Sequence, residues 1–406
     1  MQFYYDKIAK IELTRLILMD LYQTNAQAVC HVCHTQQLTL FPNYYSLPRV
    51  ASDCAPWRSG GRLAQCQNCL CVQNLIDQSW HAETSEIYSH YKLYQQSAGS
   101  EQSVLSDNKQ LLPRSAKIFQ NALPYFDLKK SGRLLDIGCA NGELLRCFSN
   151  IAPHWKMVGF EIDNKCREEV EKISGVEAFA SGSLDKLDKP FDLITLIHVL
   201  EHLPDPKQWL RNLHRLLNPQ GLVLIQVPDP KQNPYNLLIA DHCSHFLMSD
   251  LFSIARDAGY EVVAYSNKWV MREFSILIKP AESCSLTHHL QMEDKTSSYP
   301  ANSIKWLYEI TDLAKKFPND KPRGIWGTAI AGTWFYSLMK AHVDFFVDED
   351  ASRIGQQHLG KPIYSPEKVP KNSNIFIALT PEIAANIVNR WSHLEAKLHT
   401  PPNLLY

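Results

Sequence analysis

The apolar residues in the middle of the chain fall into short runs that are separated by polar turns. One run covers residues 133–137 and leads into the turn DIGCANG, after which apolar residues recur at helical spacing over residues 144–148. Gly138 and Gly142 let the backbone come close to a ligand and direct amide N–H groups toward it. The pattern predicts a buried strand, a glycine turn and a helix. A structural turn without a ligand is the alternative interpretation of this stretch by itself.

Further apolar runs predict six more strands, the last two added antiparallel. They cover residues 156–161, 176–180, 191–197, 222–227, 261–265 and 274–279. Glu161 ends the second strand, about 20 residues after the glycine turn, where a doubly wound sheet places the acid that holds a ribose. Ser183 and Leu184 follow the third strand and are candidates for a loop at the adenine edge. Ligands bind outside the carboxyl ends of such strands, where we expect Asp136, Glu161, Ser183, His198 and the insertion 228–246.

Composition limits the classes of partner. The 406 residues contain 41 Lys plus Arg and 42 Asp plus Glu, so there is no basic excess for a nucleic-acid groove. The longest apolar stretches have the length of a strand, shorter than the ~20 residues of a membrane span. The first twenty residues lack a cleavage site for a signal peptide, and eleven cysteines fit a reducing compartment, so we expect a cytoplasmic protein.

Two CxxC pairs predict a metal site near the N-terminus. Cys30 and Cys33 form one pair, and Cys66 and Cys69 form the second. Two pairs give four thiolates and close a tetrahedral zinc site without an open position, so a structural zinc ribbon is expected. Coincidental cysteines and a redox role are the weaker alternatives.

The segments around the CxxC pairs carry fewer signals. An amphipathic helix is expected over residues 8–22. Residues 42–62 are rich in turn formers and too short of apolar residues for a core, so they either contact a substrate or span the ribbon. Residues 80–126 are expected to be helical, and their Tyr88, Tyr91 and Arg114 are candidates for the roof of a cofactor site.

The insertion 228–246 holds Asp241, His242 and His245 in what we expect to be a polar loop. Histidine titrates near neutrality and suits the role of general base. His242 is the favoured base, with His198 and His245 as further candidates. Metal binding by the two histidines and Asp241, or packing alone, is the alternative.

A second glycine turn, GTAIAG at residues 327–332, is followed by an acidic residue at Asp348. The turn predicts a small Rossmann-like domain, which either binds a nucleotide or retains only the shape. The expected domains are therefore a helix and zinc ribbon (1–80), a helical connector (81–130), the large sheet (131–280), a linker (281–302) and an accessory domain (303–406).

Four ordered stretches resemble the motifs of class I S-adenosylmethionine-dependent methyltransferases: DIGCANGELL, GFEID, FDLITLIHVLEHLPDP and NPQGLVLIQVP. This resemblance implies a seven-stranded Rossmann-like α/β sheet and S-adenosylmethionine as cofactor. A nicotinamide enzyme competes for the glycine turn only. The implied cofactor residues are Asp136, Gly138, Cys139, Ala140, Gly142, Glu161, Ile162, Ser183, Leu184 and His198.

The order of modules resembles zinc-containing sugar C-methyltransferases. The family places its base in a Tyr-x-Glu-His stretch, which reads Ile239, Ala240, Asp241, His242 here. The resemblance implies C-methylation of a nucleotide-linked sugar and structural zinc. From the balanced charge and the short apolar runs we expect no nucleic acid or membrane partner, and we expect a monomer or homodimer. Methylation of oxygen or nitrogen on another metabolite, and a binding protein without catalysis, are the alternatives.

Overall fold

The computed structural model describes residues 28–92, 101, 103–105, 111–128, 130–187, 189–281, 298–339 and 342–404. The helix expected over residues 8–22 and residues 282–297 of the expected linker lie outside the described residues. Within the described part of the chain, no helix is both long and apolar enough to cross a membrane.

The N-terminal unit is built on short antiparallel strands. They are β1 (Leu38–Leu40), β2 (Arg49–Val50), β3 (Pro56–Trp57), β4 (Leu63–Cys66) and β5 (Val72–Asn74), followed by helix α1 (Gln78–Ser89). Strand β4 pairs with both β1 and β5. Helix α1 starts at Asp77, whose side chain accepts a hydrogen bond from the Trp80 amide and caps the helix.

Residues 42–62 do contribute to a core, contrary to expectation. Tyr44, Leu47 and Val50 are almost completely buried. The guanidinium of Arg49 is also buried, and it forms a bidentate pair with Glu83 of α1. The few apolar residues of this segment suffice because they pack against the rest of the molecule, which a count of local apolar residues does not reveal.

A hairpin and a helix connect this unit to the large sheet. They are β6 (Ser103–Leu105), β7 (Leu111–Pro113) and α2 (Arg114–Ala122). Helix α2 lies where a helix was expected, whereas the hairpin before it was not expected.

The large sheet has seven strands. This part of the chain forms β8 (Arg133–Ile137), α3 (Glu143–Ile151), β9 (Lys156–Glu161), α4 (Arg167–Val170), β10 (Val176–Ser181), β11 (Phe191–Ile197), α5 (Pro206–Leu213), β12 (Leu217–Pro228), β13 (Ser244–His245), α6 (Met248–Asp257), β14 (Tyr260–Ser266) and β15 (Glu273–Pro280), and all of these strands except β13 belong to the sheet. The order is β10-β9-β8-β11-β12-β15-β14, and β15 runs antiparallel to both of its neighbours. The predicted α/β sheet, mostly parallel with an antiparallel addition, is confirmed.

Strand β8 carries two consecutive leucines, and both are buried. Leu134 packs into the core on one face of the sheet, and Leu135 packs into the core on the other face. A central parallel strand is buried on both faces and therefore loses the alternation of apolar and polar residues.

The short strand β13 is not part of the large sheet. It pairs with β5, so residues of the 228–246 insertion extend the N-terminal sheet. Tyr235, Leu237 and Phe246 are each at most 1% exposed. The expectation of a polar loop was wrong, because the apolar residues of this segment are buried and several of its polar residues bond to the N-terminal unit, as Asp241 does to Ser52, or within the segment, as Asp229 does to Gln232.

The C-terminal unit forms a second, smaller sheet. Its elements are α7 (Tyr299–Lys315), β16 (Arg323–Trp326), α8 (Ile330–Met339), β17 (Phe345–Val347), β18 (Gln357–His358), β19 (Lys361–Tyr364), β20 (Asn374–Ile377), α9 (Pro381–Arg390) and β21 (Lys397–His399). The strand order is β18-β19-β17-β16-β20-β21, and every pair except β18 with β19 is parallel.

Candidate active site

A cavity of about 2270 Å³ lies at the carboxyl edge of the large sheet. The glycine turn after β8 and the end of β9 line one part of it. Residues of α1, of the 228–246 insertion and of the C-terminal unit line the other parts. The cavity is thus a place where a donor and an acceptor can meet.

The glycine turn presents bare backbone to this cavity. Gly138 adopts a φ of 74°, and a Cβ added there would lie 2.5 Å from Cγ2 of Val199, another cavity residue. Ala140 is also left-handed, with a φ of 50°. A residue with a side chain costs energy in this conformation, and such positions cluster at ligand sites.

Glu161 lies across from the turn, and its carboxylate is held by backbone amides. Oε1 accepts a hydrogen bond from the Ala140 N–H at 2.9 Å, and Oε2 accepts one from the Ile162 N–H at 3.0 Å. Burial raises the pKa of this carboxyl, although both amides oppose the shift. Ile162, whose side chain is 65% exposed, also lines the cavity. The acid and the turn are therefore brought together as the sequence indicated.

Several other residues that were expected to bind the donor do not line the cavity. Asp136 is buried, accepts a hydrogen bond from the Thr195 hydroxyl at 2.6 Å, and has its pKa raised to about 7 by burial. Asp136, Cys139 and Gly142 do not line the cavity. Neither do Ser183 and Leu184; the Ser183 hydroxyl bonds to Asp185 instead.

His198 lines the cavity between two carboxylates. Nδ1 lies 3.2 Å from Oε1 of Glu201, and Nε2 lies 2.7 Å from Oε2 of Glu273. Burial would lower the pKa of this imidazole, but Glu273 and Glu201 outweigh it and raise the pKa to about 9. A protonated imidazole cannot accept a proton, so the geometry disfavours His198 as a base at neutral pH.

The His242 side chain lines the same cavity and is only 3% exposed. Its ring packs edge to face against the ring of His202, with centroids 4.7 Å apart. Burial lowers the pKa of His242 well below its usual value, so the ring is neutral. Nδ1 of His202 lies 3.1 Å from the Asp241 carbonyl oxygen and 3.2 Å from the Tyr88 hydroxyl.

Asp241 and His245 do not line the cavity. The Asp241 carboxylate accepts hydrogen bonds from the backbone N–H and the hydroxyl of Ser52. The His245 ring is buried in β13, with its centroid 5.8 Å from that of His242. Both side chains are buried inside the protein instead.

Two contacts made by His198 and His242 had no usable signal in the sequence. Glu273 reaches His198 only because β15 returns antiparallel beside β12. Asn74 donates a hydrogen bond to the His242 carbonyl oxygen from the N-terminal sheet. Both contacts join positions far apart in the chain.

The two CxxC pairs meet in one cluster. The Sγ atoms of Cys30 and Cys69 are 3.4 Å apart, those of Cys33 and Cys66 are 3.5 Å apart, and all four lie within 4.8 Å of one another. Four thiolates around zinc at bonds of about 2.3 Å would be separated by about 3.8 Å. The cluster therefore fits a tetrahedral zinc ion.

The second glycine turn differs from a nucleotide site in one respect. Asp348, the acidic residue that follows it, accepts a hydrogen bond from the Thr328 hydroxyl at 2.6 Å and pairs with Arg353 at 3.2 Å. The carboxylate is thus engaged by side chains of the C-terminal unit itself. This favours an accessory domain that retains the Rossmann-like shape without a nucleotide.

Comparison with known proteins agrees with the fold. Residues 108–265 match the model of a methyltransferase domain. An uncharacterized methyltransferase of Schizosaccharomyces pombe is 29% identical over 28% of this chain and 48% of its own length. A ubiquinone biosynthesis O-methyltransferase of Ruegeria pomeroyi is 26% identical, over 44% of this chain and 68% of that protein.

A trans-aconitate 2-methyltransferase of Variovorax paradoxus is 27% identical, over 30% of this chain and 48% of its own length. The chain thus spans about half to two thirds of these curated relatives. Among solved structures, the mitomycin 7-O-methyltransferase MmcR is 16% identical over 41% of this chain and 53% of that chain, with a TM-score of 0.36. Residues 108–265 of this protein are therefore similar to a methyltransferase domain.

Proposed function

We propose that this protein transfers a methyl group from S-adenosylmethionine to a small molecule. One observation carries the proposal: a single cavity joins the glycine turn and Glu161 to the neutral imidazole of His242. A methyl donor and an acceptor with an ionisable group need this combination within reach of each other.

The donor side fits the cofactor. A side chain at Gly138 would collide with Val199, so the turn keeps bare backbone at the cavity, and the oriented Glu161 carboxylate suits a pair of ribose hydroxyls. When bound, S-adenosylmethionine supplies an electrophilic methyl group on a sulfonium. The task of this chain is then to align the acceptor and accept its proton.

His242 is the proposed proton acceptor. It lines the cavity, whereas His245 does not, and His198 is held protonated by two carboxylates. The His202 ring beside it limits its rotation. A fixed, neutral imidazole at the acceptor end can accept a proton, although burial makes it a weaker base than a solvated histidine.

A nucleotide-linked sugar is the proposed acceptor, methylated at carbon. Polar residues of the C-terminal unit line the far part of the cavity and suit a hydroxyl-rich ligand: Glu349, Thr380, Asn386 and Arg390. Methylation of oxygen is the second candidate, favoured by the named relatives. Ile239 also lines the cavity but has no hydroxyl to offer.

We also propose that the four cysteines hold one structural zinc ion. Their thiols fill all four positions of a tetrahedron, so the site has no room for a substrate. Elemental analysis should find zinc in the purified protein, and a strong chelator should lower its melting temperature. A melting temperature unchanged by complete removal of zinc would contradict a structural role.

The activity is tested in two steps. Calorimetry should detect binding of S-adenosylmethionine and of its demethylated product, and mass spectrometry should detect methylation within a panel of keto-sugar nucleotides, catechols and carboxylic acids. His242→Ala should leave donor binding intact and slow turnover. His90→Ala, at an exposed position of the chain outside the cavity, is the control. The absence of donor binding would refute the proposal.

A further inference from the structure

We propose that Glu201, His202 and His242 bind a divalent transition-metal cation at the acceptor end of the cavity. Each offers one ligand atom, and the three atoms lie within 4.8 Å of one another. This group shares no residue with the four cysteines. This inference rests on the proposed function, because it assigns the group of side chains that would bind the acceptor of the methyl group.

The first supporting observation is an unpartnered carboxylate oxygen. Glu201 is 1% exposed, and its Oε2 has no hydrogen-bond partner among the described residues, whereas Oε1 faces Nδ1 of His198. A buried carboxylate oxygen without a partner is costly. A cation between Oε2 and the two imidazoles would remove this cost.

The second observation is the orientation of His202. Its Nδ1 is directed at the backbone carbonyl oxygen of Asp241, at 3.1 Å. Metal-binding histidines usually donate one ring N–H to a carbonyl or carboxylate in this way, which fixes the tautomer and leaves the other nitrogen for the metal. The Tyr88 hydroxyl, 3.2 Å from the same nitrogen, restrains the ring further.

The donor set selects the kind of ion. Two imidazoles and one carboxylate suit zinc, cobalt, nickel or iron(II), whereas magnesium and calcium prefer oxygen ligands alone. Three protein ligands leave further coordination positions open. Because His202 and His242 both line the cavity, these positions would face the acceptor.

The open positions define a class of acceptor. A molecule with two adjacent oxygens, such as an α-hydroxyketone or a catechol, would chelate the cation, which lowers the pKa of a bound hydroxyl. In this form of the site His242 is a ligand of the cation and not the general base proposed above, and the proton of the bound hydroxyl leaves to solvent in the cavity. A purely hydrogen-bonded Glu201–His202–His242 network without an ion is the competing explanation.

Zinc stoichiometry distinguishes the two explanations. The full-length protein is equilibrated with buffered free Zn²⁺, and bound zinc per chain is measured by elemental analysis and by calorimetric titration. The parent protein should bind two equivalents. Glu201→Gln should retain one equivalent and weaken the second by at least about tenfold, since even outer partners of a metal site contribute that much.

Glu273→Gln is the matched control, because Glu273 is another buried carboxylate that contacts His198 but is not in the group. It should keep two equivalents. One equivalent in the parent protein, or the same affinity in Glu201→Gln and the parent, would overturn the proposal. Calorimetry with S-adenosylmethionine separates this outcome from a failure of the proposed function, because donor binding does not require the second ion.

Discussion

Glu161→Gln tests the donor site most directly. The carboxylate accepts one hydrogen bond on each oxygen, from the amides of Ala140 and Ile162. These bonds orient its remaining lone pairs toward the cavity that both it and the glycine turn line. Glutamine keeps the size of the side chain but removes the charge and one acceptor oxygen.

The magnitude follows from the type of hydrogen bond that is lost. Bonds to a charged group contribute about 1.5–3 kcal/mol, and neutral bonds about 0.5–1.5 kcal/mol. Replacing charged by neutral bonds to the ribose should therefore cost about 1–3 kcal/mol. This loss raises the dissociation constant for S-adenosylmethionine by roughly 5- to 150-fold.

The stability of the fold should change much less than donor binding. One backbone N–H loses its acceptor in the variant, which is destabilising. Burial raises the pKa of the Glu161 carboxyl, however, so removal of the buried charge is favourable and offsets that loss.

The assay is calorimetric titration with S-adenosylmethionine, with Asp192→Asn as the control. Asp192 also accepts a backbone hydrogen bond, from Arg133, but at the opposite edge of the large sheet. Its variant should bind the donor like the parent protein. Equal affinity of Glu161→Gln and the parent would refute the assigned role of Glu161, and equal losses in both variants would indicate a general effect on the fold.

Three further predictions concern stability. Glu83→Gln removes the charged partner of the buried Arg49 and should lower the free energy of unfolding, measured in urea, by about 3–5 kcal/mol. Glu86→Gln, in an exposed pair on the same helix, should lower it by at most about 1 kcal/mol, and equal losses in the two variants would contradict the argument. Gly142→Ala should cost about 1–3 kcal/mol in the same assay, because φ is +85° there, and an unchanged midpoint would be inconsistent with this backbone. Burial raises the pKa of Asp136 from 3.8 to about 7, so its contribution to stability falls as the pH rises through this range. Asp136→Asn should therefore gain stability relative to the parent from pH 4 to pH 7, and a pH-independent difference would exclude this shift.

The donor half of the site could be predicted because its determinants are local in sequence. A strand, a turn with Gly138 and a helix follow one another directly, and the acid Glu161 ends the next strand. Parallel pairing of β8 and β9 then brings the turn and the acid together without further information. Each of these steps follows from periodicity and backbone geometry.

The acceptor half could be predicted only in part, since its contacts join distant segments. The sequence singled out His242 and Tyr88 separately, but it did not predict the contacts that join their segments. The His202 ring comes from the segment after β11, and the Tyr88 hydroxyl comes from α1. No periodicity reports such contacts, because they depend on how whole units pack.

The 228–246 insertion illustrates the same limit. Its polar residues resemble those of a solvated loop, but several of them find partners in the N-terminal unit. Ser52 donates to the carboxylate of Asp241, and the Ser244 hydroxyl lies 2.8 Å from Nδ1 of His31. Buried polar groups are tolerated when they are hydrogen bonded, so polarity alone did not predict exposure.

Backbone contacts link the cysteine cluster to His242, although the cluster does not line the cavity. Cys66 ends β4, which pairs with β5, and β5 pairs in turn with β13 of the insertion. Asn74 at the end of β5 binds the His242 carbonyl oxygen. An ion at the cysteines would therefore stabilise the sheet that holds His242 in the cavity wall, while the glycine turn and Glu161 belong to a different sheet. The N-terminal unit thus positions the acceptor end of the site through the backbone, without any thiol of the cluster lining the cavity.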